Sequence, residues 1–342
     1  MYDPAKLRTV DPLLTNMSLG YTFPGYFGEM LFPITRVTSM SARYRVFGRE
    51  NWLIFPSVRE PGSVANEVEG GKWSEDSFSI VQYALQSYVT DEEREEANSN
   101  NNAGELSFLN PEGDATELIT RSVRLQHEQT VANAIRNVSS YGAANHSALS
   151  GTSRWDDYTT LVAGTPQWWQ TVSDPVTNLN TAIRAVYDGT GRLPNTFVLP
   201  RKAWASAKNH PRVTARYNNF ELTNPNALLD LLDLTTDTGE NGPAPRIIVP
   251  NSGYNAADNV DATENFQSFW GNDVFVGLVD PQEGMSTKTF GKTFARPYDG
   301  NLRPIDRWRE EARKSDVVRI HYRWDLKIVS NVAGYLLQTA VS

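Results

Sequence analysis

Few residues in this chain are of a type and spacing that could do chemistry. There are four histidines and no cysteine, which excludes disulfides, a thiolate nucleophile and any zinc site built on sulfur. His127-Glu128 opens like the helical zinc motif, in which two histidines on one face share the metal and the glutamate acts as base. The second histidine would fall at position 131, which is Val131. Gly189-Thr190-Gly191 looks like half of a dinucleotide fingerprint, but Pro194 stands at its third glycine position. Neither a Walker-type phosphate loop nor a Gly-x-Ser-x-Gly elbow is present. His146, His210 and His321 are scattered, so a Ser/His/Asp set could form only in space. Asp156-Asp157 and Glu310-Glu311 could hold a cation, although adjacent acids on solvated loops are commoner. We therefore expect no catalytic, cofactor or metal site.

The elements that would position such residues come next. The chain has 342 residues, 39% of them hydrophobic, with nine Trp, enough for one large core or two. A formal net charge of −8 argues against a dedicated nucleic-acid binder, whose affinity comes from Lys and Arg on phosphates. It leaves room for a protein that merely encloses DNA. No apolar run approaches the ~20 residues a bilayer span needs, and the first residues lack a signal-peptide pattern.

Residues 1–42 carry Pro4, Pro12, Pro24 and Pro33 and show neither helical nor strand period, as expected of an extended arm. That arm packs either on another molecule or on its own domain. Residues 43–55 and 77–90 read as strands. In the second, Val81, Tyr83, Leu85 and Val89 share one face. The stretch between them, Pro56–Asp76, is long for a compact domain and implies a projecting loop. Residues 91–113, acidic and then amide-rich, read as a solvated connector.

A long helix should follow over 114–141. Asp114 and Glu117 have capping-box spacing, Leu118, Leu125 and Ala132 recur every seven residues, and the first stop is Gly142. The chain then alternates. Asp174-Pro175 opens a helix that ends near Gly191. Thr196–Leu199, Arg246–Val249 and Asp273–Val279 read as strands, with helices over Pro200–Asn209 and Asn226–Leu232. Over Asp316–Ser330 strict alternation returns, with Val318, Ile320, Tyr322, Trp324 and Leu326 on one face.

Several strings in this order resemble one family. They are Leu149-Ser150-Gly151 with Trp155-Asp156-Asp157, Ser173-Asp174-Pro175, Leu193-Pro194-Asn195-Thr196 leading into Phe197-Val198-Leu199, and His210-Pro211. Together with the order of elements they resemble the major capsid proteins of tailed bacteriophages, which have the α+β fold named after phage Hong Kong 97. The resemblance implies an N-terminal arm (1–42), an extended β-hairpin loop (43–90) lying over a neighbouring subunit, and a peripheral domain (91–169) with its spine helix at 114–141. It further implies an α/β axial domain (170–280) and a return to the peripheral domain with a C-terminal strand (281–342). The implied function is a shell subunit, not an enzyme, forming pentamers and hexamers of an icosahedral head around double-stranded DNA. Implied partners are further copies of the chain, a portal protein, a decoration protein and a separate scaffolding protein, the alternative to the last being prior cleavage of a scaffolding segment. The place is the virion, assembled in the host cytoplasm, with no membrane and no cofactor. A bacterial nanocompartment shell is the alternative of the same fold. A soluble α/β enzyme dimerising through its ribbon is the alternative of another class.

The charge pattern suggests how copies would meet. The loop carries Glu60, Glu67, Glu69, Glu75 and Asp76 against Arg59 and Lys72, and Arg296–Lys327 holds nine basic and six acidic residues. We expect intersubunit contacts from Glu60, Glu67, Glu69, Lys72 and Trp73 to Arg307, Arg309 and Arg313 of a neighbour. Some family members cross-link covalently through a loop lysine, but nothing identifies a partner asparagine here, and Lys72 reads as a solvated loop residue.

Overall fold

The computed structural model describes residues 9–20, 25–47, 54, 57–59, 61–62, 64, 73–102, 110–164, 170–216, 225–232, 234, 244–257, 263, 265–281 and 289–342. The N-terminal segment supplies strand β1 (Thr9–Val10), helix α1 (Pro12–Gly20), the single turn α2 (Gly28–Leu31) and strand β2 (Ile34–Arg36). It packs on its own domain: Leu14, Leu31 and Phe32 are buried in the cores. Of the two packings open to the arm, the structure takes the local one over these residues. Tyr21 and Phe23 lie outside the described residues.

Strands β3 (Ser41–Phe47) and β4 (Trp73–Ser79) form an antiparallel ribbon with Phe47 opposite Trp73. Its second strand is not the whole of 77–90. The chain breaks at Ile80, and β5 (Val81–Thr90) pairs instead with β14 (Ser315–Ile328), Val81 opposite Trp324. The break has a physical anchor. The Ile80 side chain is buried with Phe78, Tyr44 and Phe294, while Ser79 N–H donates to the Asp325 carboxylate at 2.8 Å.

The expected connector is a helix, α3 (Asp91–Asn102). Thr90 Oγ1 accepts from Glu93 N–H at 3.3 Å and Thr90 N–H donates to the Glu93 carboxylate at 3.0 Å, a complete capping box. Asp91, Glu92 and Glu93 sit in the first turn, where the helix dipole favours negative charge.

The spine helix α4 runs Pro111–Arg136, not 114–141. Asn110 is the true N-cap, accepting from Gly113 N–H at 3.1 Å, and Pro111 fills the first position, where its missing N–H costs nothing. The helix stops six residues before Gly142. Asn137 turns extended and its side chain accepts from Ser139 N–H at 3.1 Å, a local bond that competes with helix continuation. Ile119 and Val123 enter one core and Val131, Ala132 and Ile135 another, so α4 is shared by both. Leu118, expected on the buried face, is 60% exposed.

Beyond α4 come β6 (His146–Ala148), α5 (Pro175–Thr190), β7 (Thr196–Val198), α6 (Arg201–Asn209), α7 (Pro211–Arg216) and α8 (Pro225–Leu231). Then follow β8 (Arg246–Ile248), the small hairpin β9 (Gly253–Asn255) and β10 (Phe266–Ser268), β11 (Val274–Gly277), β12 (Gly291–Ala295), β13 (Ile305–Glu310), β14 and β15 (Gly334–Gln338). One sheet has the order β1-β13-β14-β12-β2 with β5 on β14; the other has β6-β15-β11-β7-β8. The alternation read in β14 is real: Val318, Ile320, Tyr322 and Trp324 are buried beneath α4 and α1. The last strand, β15, does not stay with the first sheet. It joins the second, beside β6 and β11, so the C-terminal segment ends in the layer that also holds α5.

Candidate subunit-contact surfaces

The candidate chemical residues have all been drawn into structural roles. His127 is buried, its ring edge-on to Trp324 and Nε2 3.3 Å from Thr293 Oγ1, and burial pushes its pKa down to about 4. Glu128 points at the arm, accepting from the backbone N–H groups of Phe27 and Gly28 at 3.0 and 2.6 Å. Burial raises its carboxyl pKa, and these two donors pull it back. Gly189-Thr190-Gly191 ends α5. Gly191 is left-handed at φ 70° and donates to Tyr187 O at 2.7 Å, while Gly189 lies against the Val332 carbonyl.

Ser173 and His210 do meet, Oγ to Nε2 at 2.7 Å, both buried. The wiring is the reverse of a nucleophile and its base. Ser173 Oγ donates to Asp157 O at 2.7 Å, and Arg212 N–H donates to His210 Nδ1 at 3.2 Å. That leaves Nε2 as the protonated nitrogen donating to the serine, with no lone pair to take its proton. Burial lowers the His210 pKa to about 4. Asp174 caps α5 through Thr177 N–H and pairs with Arg212 at 2.6 Å.

Asp157 closes a turn on the backbones of Thr159 and Thr160, Asp156 binds the terminal Ser342, and Glu310 and Glu311 pair with Arg313 and Arg309. Among the described residues no three metal-ligating side chains cluster and no helix is long and apolar enough to cross a membrane.

The expected contact residues fall into two groups. Glu60, Glu67, Glu69 and Lys72 lie outside the described residues. Trp73 ends the described ribbon, 47% exposed, with Arg45 stacked 4.3 Å from its ring centre. The inner ribbon face is fixed by Phe78, stacked 4.7 Å from Phe294, and by Tyr44, whose hydroxyl donates to Asp76 at 2.7 Å. The outer face carries Arg43 and Glu75, 3.3 Å apart and exposed.

Arg307 and Arg309 are bound within their own chain. Arg307 reaches Glu112 at 2.6 Å and Asp316 at 2.8 Å, and Arg94 of α3 reaches the same two acids. Arg309 binds Asp91 through two parallel contacts of 2.5 and 2.6 Å. Arg313 is the freest of the three, its side chain 58% exposed and lying 4.5 Å over the Tyr88 ring. This knot joins α3, α4, β13 and β14. Sequence reading missed it because its acids lie at positions 91, 112 and 316, far from one another along the chain.

The described residues form two main sheets braced by one long helix, with a two-stranded ribbon, β3 and β4, beside them. The chain belongs to the phage major capsid protein E family, whose model matches residues 6–285. It is 26% identical over 340 residues to the major capsid protein of Burkholderia phage BcepMu, covering 97% of each chain. In fold it is similar to a phage-related protein from Bordetella bronchiseptica RB50, with TM-score 0.72 at 23% identity over 97% and 98% of the two chains. It is also similar to the capsid of cyanophage P-SCSP1u, with TM-score 0.51 at 12% identity over 90% and 86%. The fold is the Hong Kong 97 type, and the protein is a major capsid protein that self-assembles into the phage head shell, a structural component of the virion and not an enzyme. The nanocompartment and enzyme alternatives give way to this membership.

Proposed function

We propose that the chain forms pentamers and hexamers of an icosahedral head enclosing double-stranded DNA without sequence-specific binding. Its peripheral part (91–169 and 281–342) lies at the capsomer rim, its axial part (170–280) meets its copies at the capsomer centre, and its extended loop (43–90) reaches across a neighbour. The observation that carries this reading is the ribbon, anchored by Phe78 and leaving the sheet at Ile80. A net charge of −8 agrees with enclosing DNA rather than gripping it.

The acidic loop residues Glu60, Glu67 and Glu69, with Lys72 and Trp73, dock on the neighbour's surface around Arg307, Arg309 and Arg313. Arg313 offers the most accessible charge. Because Arg307 and Arg309 already hold acids of their own chain, the contact sets register more than affinity. Scaffolding, portal and decoration proteins are the further partners. Reversing the loop charges (E67K with E69K) is expected to leave a folded chain that assembles poorly by negative-stain microscopy. Normal shells from this variant would remove the docking.

A further inference from the structure

We propose that the exposed face of α6, with the end of α7 beside it, is a phosphate-contacting surface for the duplex DNA that the shell encloses. The net charge of −8 is not spread evenly along the chain. Between Asp188 and Glu221 there is no acid, while Arg192, Arg201, Lys202, Lys208, Arg212 and Arg216 are all basic. Five of these six lie on α6 and α7.

Helical spacing gathers the charges of α6 on one side. Ala203 and Ala207 are buried and Trp204 packs against the same core, so the opposite arc carries Arg201, Lys202, Ala205, Lys208 and Asn209. Arg201 and Lys202 are exposed and Lys208 is half-buried. Among the described residues none of the three pairs with an acid, and Arg201 donates to the Asn251 amide oxygen at 2.9 Å. The helix α7 packs beside α6 and is rooted by the buried Val213. There Arg212 takes the Asp174 carboxylate at 2.6 Å, which leaves Arg216 4.0 Å from the same oxygen with its side chain 44% exposed. Two cations share one acid.

A protein partner fits this face poorly. Interface cores are built on aromatic and apolar groups and are depleted in lysine, and among the described residues no exposed large hydrophobic side chain lies on α6 or α7. A lysine beside a carboxylate in open water gains little. On a duplex each cation also displaces condensed counterions, so unpaired lysines and arginines without apolar surroundings suit backbone phosphates. Arg201 and Lys208 stand about 10 Å apart along the helix at 1.5 Å per residue. A duplex offers one phosphate per ~1.7 Å of its axis, so the three cations face several at once. Contacts of this kind carry no sequence information. The inference rests on the chain enclosing DNA, as proposed above, and it turns α6 toward the interior of the shell.

Fluorescence anisotropy of a labelled, mixed-sequence DNA duplex, titrated with the unassembled full chain from low salt upward, reads the contact. Weak binding that falls as salt rises is expected, alike for duplexes of different sequence. Neutralising the face (R201Q with K202Q and K208Q) should make the log–log salt slope shallower by about three, roughly one per lost phosphate contact. It should also weaken binding by roughly tenfold or more at low salt. Keeping the charge (K202R with K208R) should retain both, and removing three cations elsewhere (R43Q with R121Q and R313Q) should change the slope little. No binding by the parent, parent-like binding by the neutralised chain, or equal losses from the two neutralised sets overturns the proposal. Unchanged DNA binding together with failed shell assembly in the neutralised chain assigns the face to a protein contact and overturns it as well. Heads that protect no duplex from nuclease remove the enclosing reading and this one with it. Heads that protect duplex while the neutralised chain binds like its parent remove this one alone.

Discussion

The Glu128 carboxylate accepts the Gly28 N–H at 2.6 Å, so the spine helix holds the N-terminal segment by its backbone. A Cβ at position 28 would stand 2.7 Å from that oxygen, which is why the contact needs glycine. Glu128→Ala would leave the buried Gly28 N–H and the part-buried Phe27 N–H without their acceptor. We expect it to cost about 2–4 kcal/mol of stability, read by urea unfolding of the unassembled chain. Gly28→Ala should weaken the same contact. An unchanged midpoint in both variants would show that the clamp contributes nothing.

Acid should expose the two neutral buried histidines. His127 and His210 have pKa values of about 4, lowered by burial from 6.5. Between those values the unfolded chain binds more protons, so stability rises with pH there and is fully present above 6.5. It is lost as pH falls toward 4, on the order of 3 kcal/mol per histidine. Asp174 and Asp316, held low, lose their contribution only below the usual carboxylate range. Glu128, raised by burial, works the other way above 4.5. His210 is therefore the cleaner test: His210→Gln should flatten the unfolding free energy between pH 4 and 6.5, and an unaltered slope would contradict this account.

Asp316, 8% exposed, faces Arg94, Arg307 and Arg309. Asp316→Asn should destabilise by about 2–4 kcal/mol, because three clustered cations lose a shared counter-charge. Adding Arg94→Met should recover part of the loss. A change within ~0.5 kcal/mol, the range of an ordinary surface substitution, would mean that the knot is electrostatically idle.

Thr90→Ala removes one half of the α3 capping box. The expected cost is about 1 kcal/mol, seen as faster amide exchange confined to the first turns of α3. Uniform exchange across the chain would argue against a local cap.

These residues also show what could be read without a structure. The alternation in β14 and the Asp174-Pro175 helix start were legible because each is local: period two in one case, a cap and a proline in the other. The spine helix was visible by its apolar spacing but misplaced at both ends. Asp114-Glu117 mimics a cap that Asn110-Pro111 already supplies, and Asn137 ends what Gly142 was expected to end. Thr90-x-x-Glu93 carried the signal for α3, obscured by a polar composition that reads as loop. The division at Ile80 leaves no mark on the strand pattern, since both halves are extended and only their partners differ. The wiring of Ser173 and His210 depends on a backbone amide and a carbonyl, which no spacing of side chains can show.

One wall belongs to both cores. The helix Pro111–Arg136 is a beam of about 39 Å at 1.5 Å per residue, gripped by one sheet near its start and by the other near its end. A load on either layer passes through continuous hydrogen-bonded backbone to the other, so each subunit bends little between its ends. A head built of such subunits is therefore expected to deform at the contacts between them rather than along this helix.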